Sequence, residues 1–300
     1  MKIAIAGSNG FLGSNLFNFL KGDFSIASIN RTDDLRFAIN QSTVIVNLAG
    51  KAHDLKNVAD LSSYYELNEK YSNRLYDFFL LSDAKVFITI SSVKAAADSV
   101  AGVLMEEMEP FPTTHYGKSK RLAEYHILSK GIPTGKRVYI LRPCMIHGPG
   151  NKGNLNLLYK LAQWGFPWPL AAFENKRSFC SVENICFVIR ELITRDDIPS
   201  GIYNVADDEP LSTNQLIQIF GDTLGKKTRF WKIPKSIIRC MAKIGDKIYL
   251  PLNSERLAKL TENYVVSNQK LRNALGKEFP VKAIDGLKST ILSFQTEKPK

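Results

Sequence analysis

Cysteine is scarce in this chain of 300 residues. Cys144, Cys180, Cys186 and Cys240 lack close paired spacing. That excludes a disulfide framework and a Cys-ligated zinc site, and the four read as reduced thiols of a cytoplasmic protein. No apolar run is long enough to span a bilayer. The opening MKIAIAGSNG has too short an apolar stretch for a signal peptide and passes straight into a glycine loop. Stable membrane insertion is therefore not expected. Acidic residues are outnumbered 29 to 40 by Lys and Arg, for a net charge of +11. A surplus of that sign suits nucleic acid, an anionic membrane surface or phosphorylated small molecules. The basic residues are dispersed and form no arm, which argues against nucleic acid and for small phosphorylated ligands. Internal repeats and low-complexity segments are also absent.

What is present is alternation. KIAIAG, FSIASINR, TVIVNLAG, KVFITIS and RVYILRP are short apolar runs rich in β-branched residues. Between them lie helical patterns, among them SNGFLGSNLFNFL, YYELNEKYSNRLYDFFLLS and YGKSKRLAEYHILSK. Strands alternating with helices predict an α/β fold, a doubly wound parallel sheet with both faces covered. After Pro143 the texture turns to Gly, Pro, Asn and aromatics, and helical patterns return at Val182–Thr194, Thr213–Thr223 and Lys235–Ile248. The expected division is a Rossmann domain over 1–165 and a smaller substrate-binding portion over 166–300, with the chain crossing back. The third of those patterns, in IPKSIIRCMAKIGDKI, raises peripheral contact with an anionic membrane, but its mix of Ile and Lys fits an ordinary amphipathic helix better.

GSNGFLG sets Gly7, Gly10 and Gly13 between the first strand and the first helix. Such a loop must turn tightly, let backbone approach a pyrophosphate and seat helix on strand, and each task excludes a side chain. The helix N-terminus then offers N–H groups to the anion. The second strand ends at Asn30–Arg31, with Asp33 and Asp34 beyond. An Arg there accommodates the NADP phosphate and an acid binds the NAD ribose, so the position leans towards NADP without excluding NAD.

THYGKSK holds Tyr116 and Lys120, four apart and so on one helical face. With 11 Tyr in a lysine-rich chain, about one such pair arises by chance, so the pair alone decides little. Its company decides more: GSNGFLG, NLAG ending a strand, Asn68 in ELNEKYS, ITISS ending the next strand, YGKSK, LRPCMIHGPG and KRSFCSVENI follow in order. In this set the chain resembles, over nearly its whole length, the extended short-chain dehydrogenase/reductases, or NAD-dependent epimerase/dehydratase family.

The resemblance implies a catalytic set of Ser92, Tyr116 and Lys120, with Ser91 as the neighbour most easily mistaken for Ser92. It implies a cofactor site made by Gly7, Asn9, Gly10, Phe11, Leu12 and Gly13 of the loop, Asn30 and Arg31 after the second strand, Leu48, Ala49 and Gly50 after the third, and Lys120. The physics agrees. A phenol is a poor base at neutral pH, and a nearby ammonium stabilises phenolate. Lys120 has donors to spare for the nicotinamide ribose, and a serine at a strand's C-terminal end can bond the reacting oxygen.

Dehydratases of the resembled family carry Asp-Glu directly after the Ser or Thr. Here Val93-Lys94 stand there, which argues against dehydration. GPGNKGN and PWPLAAFENKRSF resemble bacterial enzymes of UDP-linked N-acetyl amino sugars, both C4 epimerases and 4-keto-6-deoxy-sugar reductases. The resemblance implies Arg177 as the grip on a UDP-sugar diphosphate. Lys152 and Asn154 are helpers or plain loop residues, and Phe166, Trp168 and Phe173 are uracil platforms or core. The expected function is a nucleotide-sugar oxidoreductase acting at C4, with the reductase favoured by Asn30–Arg31, a 4-epimerase as the alternative and a non-catalytic NAD(P)-binding regulator as a third. The regulator is disfavoured because Ser92, Tyr116, Lys120 and Arg177 are all present. The resemblance further implies a homodimer formed through the helices holding Asn68–Phe79 and Tyr116–Ser129.

Overall fold

In the computed structural model the apolar runs become the centre of the molecule. It describes residues 1–30, 35–51, 61–151, 154–248 and 252–296. Six strands, β1 (Lys2–Ala6), β2 (Ser25–Ile29), β3 (Val44–Asn47), β4 (Val86–Ile90), β5 (Arg137–Pro143) and β6 (Gly201–Val205), form one sheet in the order β2-β1-β3-β4-β5-β6. Every pairing is parallel. A parallel sheet is covered on both faces, which is why these strands are nearly unbroken apolar runs. Ile3, Ile5, Val44, Val46, Ile88 and Leu141 enter one buried cluster, while Ala4, Ala6, Ile45, Phe87, Val138 and Ile140 enter another, as the two-residue period requires. The strand order reverses between β1 and β3, and ligands of open α/β sheets lie at the carboxyl ends of strands at such a point.

The helices that cover the sheet are α1 (Phe11–Leu20), α2 (Leu35–Asn40), a composite α3, and α4 (His115–Lys130), with α5 (Asn154–Gln163) and α6 (Val182–Thr194) following. Helix α3 runs on through Ser62–Tyr64, Tyr65–Lys70 and Tyr71–Leu81. Its middle portion is a π-helical turn, a feature the sequence pattern did not disclose. Such turns hold an extra residue and often mark functional positions.

A third cluster lies apart from the sheet. It gathers Leu155 and Leu158 of α5, Trp168, Leu170 and Phe173, and side chains of α7 (Thr213–Thr223), α8 (Lys235–Ile248), α9 (Ser254–Thr261) and, beyond α10 (Gln269–Leu275), α11 (Ala283–Thr296). Between α6 and α7 the chain returns to the sheet as β6. Helix α8 departs from the ordinary amphipathic pattern: it buries Ile238, Ala242 and Gly245, while Ile237, Met241, Ile244 and Ile248 face outward. Among the described residues no helix is long and apolar enough to cross a membrane.

Candidate active site

The glycine loop is shaped by close approaches. Gly7 has φ +82°, in the region that favours glycine, and a Cβ on it would stand 2.7 Å from the Ala49 nitrogen and 2.8 Å from the Leu48 carbonyl carbon. A Cβ on Gly13 would fall 2.2 Å from the Gly7 oxygen. So α1 is pressed onto the loop, and the loop onto the NLAG segment. Gly10 differs: its Cβ would meet only the Gly7 oxygen, at 3.3 Å. That side is open, and α1 starts there with no side-chain cap, leaving its first N–H groups to an anion. The cradle fits a dinucleotide pyrophosphate. Phe11, Leu12 and Leu48 pack partly buried against the core, so their contribution to the cradle is backbone, while Asn9 and, at the end of β2, Asn30 are exposed. Arg31, with Asp33 and Asp34, lies outside the described residues. Gly10→Val is expected to abolish NAD(H) and NADP(H) binding in a calorimetric titration while the protein stays folded, because its Cβ would press on the Gly7 oxygen alone, at 3.3 Å.

At the carboxyl end of β4 the chain makes a single 3-10 turn, Val93–Ala95, capped by Ser92, whose Oγ accepts from the Lys94 nitrogen at 3.2 Å. Helix α4 starts hard against this turn. A Cβ on Gly117 would lie 2.4 Å from the Lys94 carbonyl oxygen, so the glycine of YGKSK is what lets the helix come this close. Asp98 fixes the start of the helix, accepting from Thr113 nitrogen (2.6 Å) and hydroxyl (2.8 Å) and from Thr114 nitrogen and hydroxyl (both 2.9 Å). Burial pushes the Asp98 carboxyl up, but these bonds outweigh it and hold it below the usual carboxylate range.

The result is that Ser92 stands beside the Tyr116 phenol. Burial raises the phenol above its ordinary value, and Ser92 offsets part of that. The expected source of that lowering was Lys120, but its ammonium donates to the Ile90 carbonyl at 2.9 Å. Burial brings Lys120 down to about 8, with Glu124 pulling the other way. Lys120 also stands under the NLAG segment, 2.8 Å from where a Cβ on Gly50 would be. Asn68, brought in by the π turn, closes the group: its side chain accepts from Lys51 nitrogen (2.8 Å) and donates to Lys51 oxygen (3.1 Å) and Ser119 hydroxyl (3.0 Å).

Glu124 continues the face of Tyr116 and Lys120 by one more helical turn, a continuation the sequence reading overlooked although the i, i+4 spacing displays it. Its carboxylate accepts from Arg142 Nε at 2.8 Å and Nη2 at 2.6 Å, and from Ser91 Oγ at 2.5 Å. Ser91 thus belongs to Glu124, and Ser92 to Tyr116.

Arg177 sits apart from this cluster. Its backbone bridges Leu211 and Tyr264, and its guanidinium donates to the Lys259 carbonyl and faces Glu262 at 3.7 Å. Tyr264 links it to the Ser92 turn, donating to Ala97 oxygen at 2.6 Å and to Val93 oxygen at 3.2 Å. Lys94, which the sequence reading used only to argue against a dehydratase, has its ammonium 4.1 Å from the Tyr264 ring centroid. Burial lowers Lys94, Glu262 and Asp98 oppose that, and the charges of Arg177 and Lys259 add to it. Three cations converging on one stretch suit an anionic ligand. Trp168 and Phe173 are core, whereas Phe166 is exposed. Lys152 and the side chain of Asn154 lie outside the described residues.

A model of the NAD dependent epimerase/dehydratase family matches residues 3–206. This chain belongs to that family. As a member it is an enzyme, and its cofactor is a nicotinamide dinucleotide of the NAD type, which the glycine cradle fits. The UDP-glucose 4-epimerase of Vibrio cholerae is similar at 28% identity over 97% of this chain and 95% of its own length. The N-acetyl-alpha-D-glucosaminyl-diphospho-ditrans,octacis-undecaprenol 4-epimerase of Escherichia coli O157:H7 is 27% identical over 77% of this chain and 75% of its own. Among solved structures the UDP-N-acetylglucosamine 4-epimerase from Bacillus cereus superposes with a TM-score of 0.77 at 19% identity, over 98% of this chain and 99% of that one. The structural likeness shows a shared fold.

Proposed function

We propose that this chain interconverts the C4 hydroxyl and ketone of a sugar carried on a diphosphate, with Tyr116 moving the proton. The observation that carries this reading is the grouping of buried Ser92, just past the carboxyl end of β4, with Tyr116 and, one helical turn on, buried Lys120. When bound, the dinucleotide supplies hydride transfer. Tyr116 takes the proton from O4 as the alcohol is oxidised and returns one as the ketone is reduced. Ser92 donates to the same oxygen. Lys120 holds the nicotinamide ribose. Arg177, with Lys94, grips the diphosphate.

The redox-neutral version, 4-epimerisation, is preferred over net 4-keto reduction, because both relatives described above are named as 4-epimerases. Their names share a sugar on a diphosphate and differ in what the diphosphate is attached to. The sequence lean towards a reductase rested on Arg31. Incubating the enzyme with UDP-N-acetylglucosamine and NAD, and following the sugar by proton NMR, tests the choice. Epimerisation interconverts the 4-epimers with no net change in cofactor, and stoichiometric oxidation of added NADPH with a 4-keto sugar would assign the reductase instead.

The reading includes a cytoplasmic homodimer. Leu81 at the end of α3 and Leu122, Tyr125 and Leu128 along α4 are exposed apolar side chains on adjacent helices. A two-fold pairing of the same patches would cover them. Light scattering at micromolar concentration is expected to give twice the chain mass of 33.7 kDa, and a monomeric mass would contradict it.

A further inference from the structure

Beside Arg177 lies a cavity of about 370 Å³ that C4 chemistry does not require. Its walls are hydrocarbon: Leu155, Leu158, Trp168, Leu170, Leu216 and Ile217. Of the wall hydroxyls, that of Thr213 is already given to the Leu260 carbonyl at 2.7 Å. A nucleobase carries donors and acceptors around its edge and loses affinity where they go unmet. An alkyl or prenyl chain has none to meet. The lining also includes five cationic side chains, Arg177, Lys226, Lys227, Arg256 and Lys259; Arg177 faces Glu262 and Lys259 is paired with Glu255. If Arg177 holds the diphosphate with the sugar reaching towards Tyr116, whatever is esterified to the other phosphate has this cavity next to it.

The surroundings of the cavity are apolar as well. Phe166 and Leu157, both lining it, are 68% and 53% exposed. The wall residue Trp168 is paired through its backbone with Phe230 and Trp231, and Trp231 is itself 56% exposed. Helix α8 follows at once. Ile237, Met241, Ile244 and Ile248 recur every three or four residues, so they form one stripe, and they are 50%, 49%, 50% and 60% exposed. Lys235, Arg239, Lys243 and Lys247 are exposed on the same helix. Its buried side packs against α9, which supplies Arg256, Lys259 and Leu260 to the cavity. An apolar stripe bordered by cations, with Trp and Phe nearby, has the composition of a helix that lies in a bilayer interface rather than crossing it. A second copy of the chain is a poor occupant, since it would bring the same cations against these.

We infer that the cavity beside Arg177 takes the hydrocarbon chain of a lipid-diphosphate-linked sugar, and that α8 with Phe230 and Trp231 lays this lobe on the anionic phospholipid bilayer that carries the lipid. The substrate half of the inference rests on the C4 reading, whereas the docking half does not.

The full-length enzyme with bound NAD is sedimented with vesicles of phosphatidylcholine, with and without phosphatidylglycerol. It is expected to bind the anionic vesicles, and the Ile237→Glu, Ile244→Glu double variant to bind about ten-fold less at an unchanged thermal midpoint. Lys243→Glu with Lys247→Glu is expected to lose the preference for the anionic lipid. Absence of vesicle binding, or a doubled mass that the Ile variants halve, overturns the docking and gives the stripe to a second copy. For the cavity, binding of farnesyl-diphosphate-linked N-acetylglucosamine and of UDP-N-acetylglucosamine is compared by calorimetry, which needs no turnover. The prenyl compound is expected to bind at least about ten-fold tighter, and Ala162→Trp at the cavity wall to remove that advantage. Equal or tighter binding of the UDP-sugar overturns the lipid assignment and leaves C4 chemistry standing. Tight prenyl binding with no conversion by the wild type would instead sink the C4 reading alone.

Discussion

Tyr116→Phe is expected to lower sugar turnover by about 10²–10⁴-fold, the range lost with a general acid or base, while sugar-diphosphate binding stays near that of the wild type. The ring remains and keeps its edge-to-face contact with Tyr64, centroids 6.2 Å apart, so packing is preserved. What goes is the hydroxyl beside Ser92 that, in the proposed reading, exchanges a proton with O4. Two companions separate the roles. Lys120→Met is expected to reduce turnover and dinucleotide affinity together, since in the proposed reading the ammonium holds the ribose that presents the nicotinamide. Arg177→Ala is expected to weaken substrate binding in the main. The measurements are conversion under saturating cofactor and calorimetry on each variant. Wild-type turnover by Tyr116→Phe would take the proton role away from Tyr116.

Glu124→Ala is expected to destabilise the fold by about 3–5 kcal/mol, the cost of breaking a buried ion pair by removing one partner. Arg142 and Glu124 are each 1% exposed, so solvent screens neither. The guanidinium already has one nitrogen, Nη1, without a hydrogen-bond partner, and the variant would strand the remaining charge. Ser91 would lose its acceptor as well. Urea unfolding checks the figure through the shift in midpoint at constant slope. A loss under about 1 kcal/mol would mean that water or another group reaches Arg142, as at a surface pair. Because Glu124 also favours the charged form of Lys120, the variant is expected to shift the alkaline limb of the activity profile to lower pH.

The strands and helices were legible because parallel-sheet burial writes itself as apolar runs, and α6, α7 and α8 occupy the spans their periodicity gave. The candidate catalytic stretch was recognisable through its neighbours in sequence. What stayed hidden depends on residues far apart in the chain. Asp98 looks like any loop acid until it is seen clamping Thr113 and Thr114. Gly117 looks like a spacer until the Lys94 carbonyl is found where its Cβ would be. Periodicity said that α8 is amphipathic, but it cannot distinguish the stripe a helix buries from a second stripe that it leaves outside.

The pairing of β5 with β6 joins Tyr139 to Gly201 and Pro143 to Val205. On a ribosome, β5 is therefore made some sixty residues before its outer neighbour, while the chain is emitting the aromatic and leucine-rich segments of the other lobe. Until then VYILRP is a naked apolar edge, the kind that pairs with the wrong partner. The grip of Arg142 on Glu124 needs only residues already synthesised. Both ends of the tie between β5 and α4 are thus present through that interval, before the outer strand that covers the edge exists.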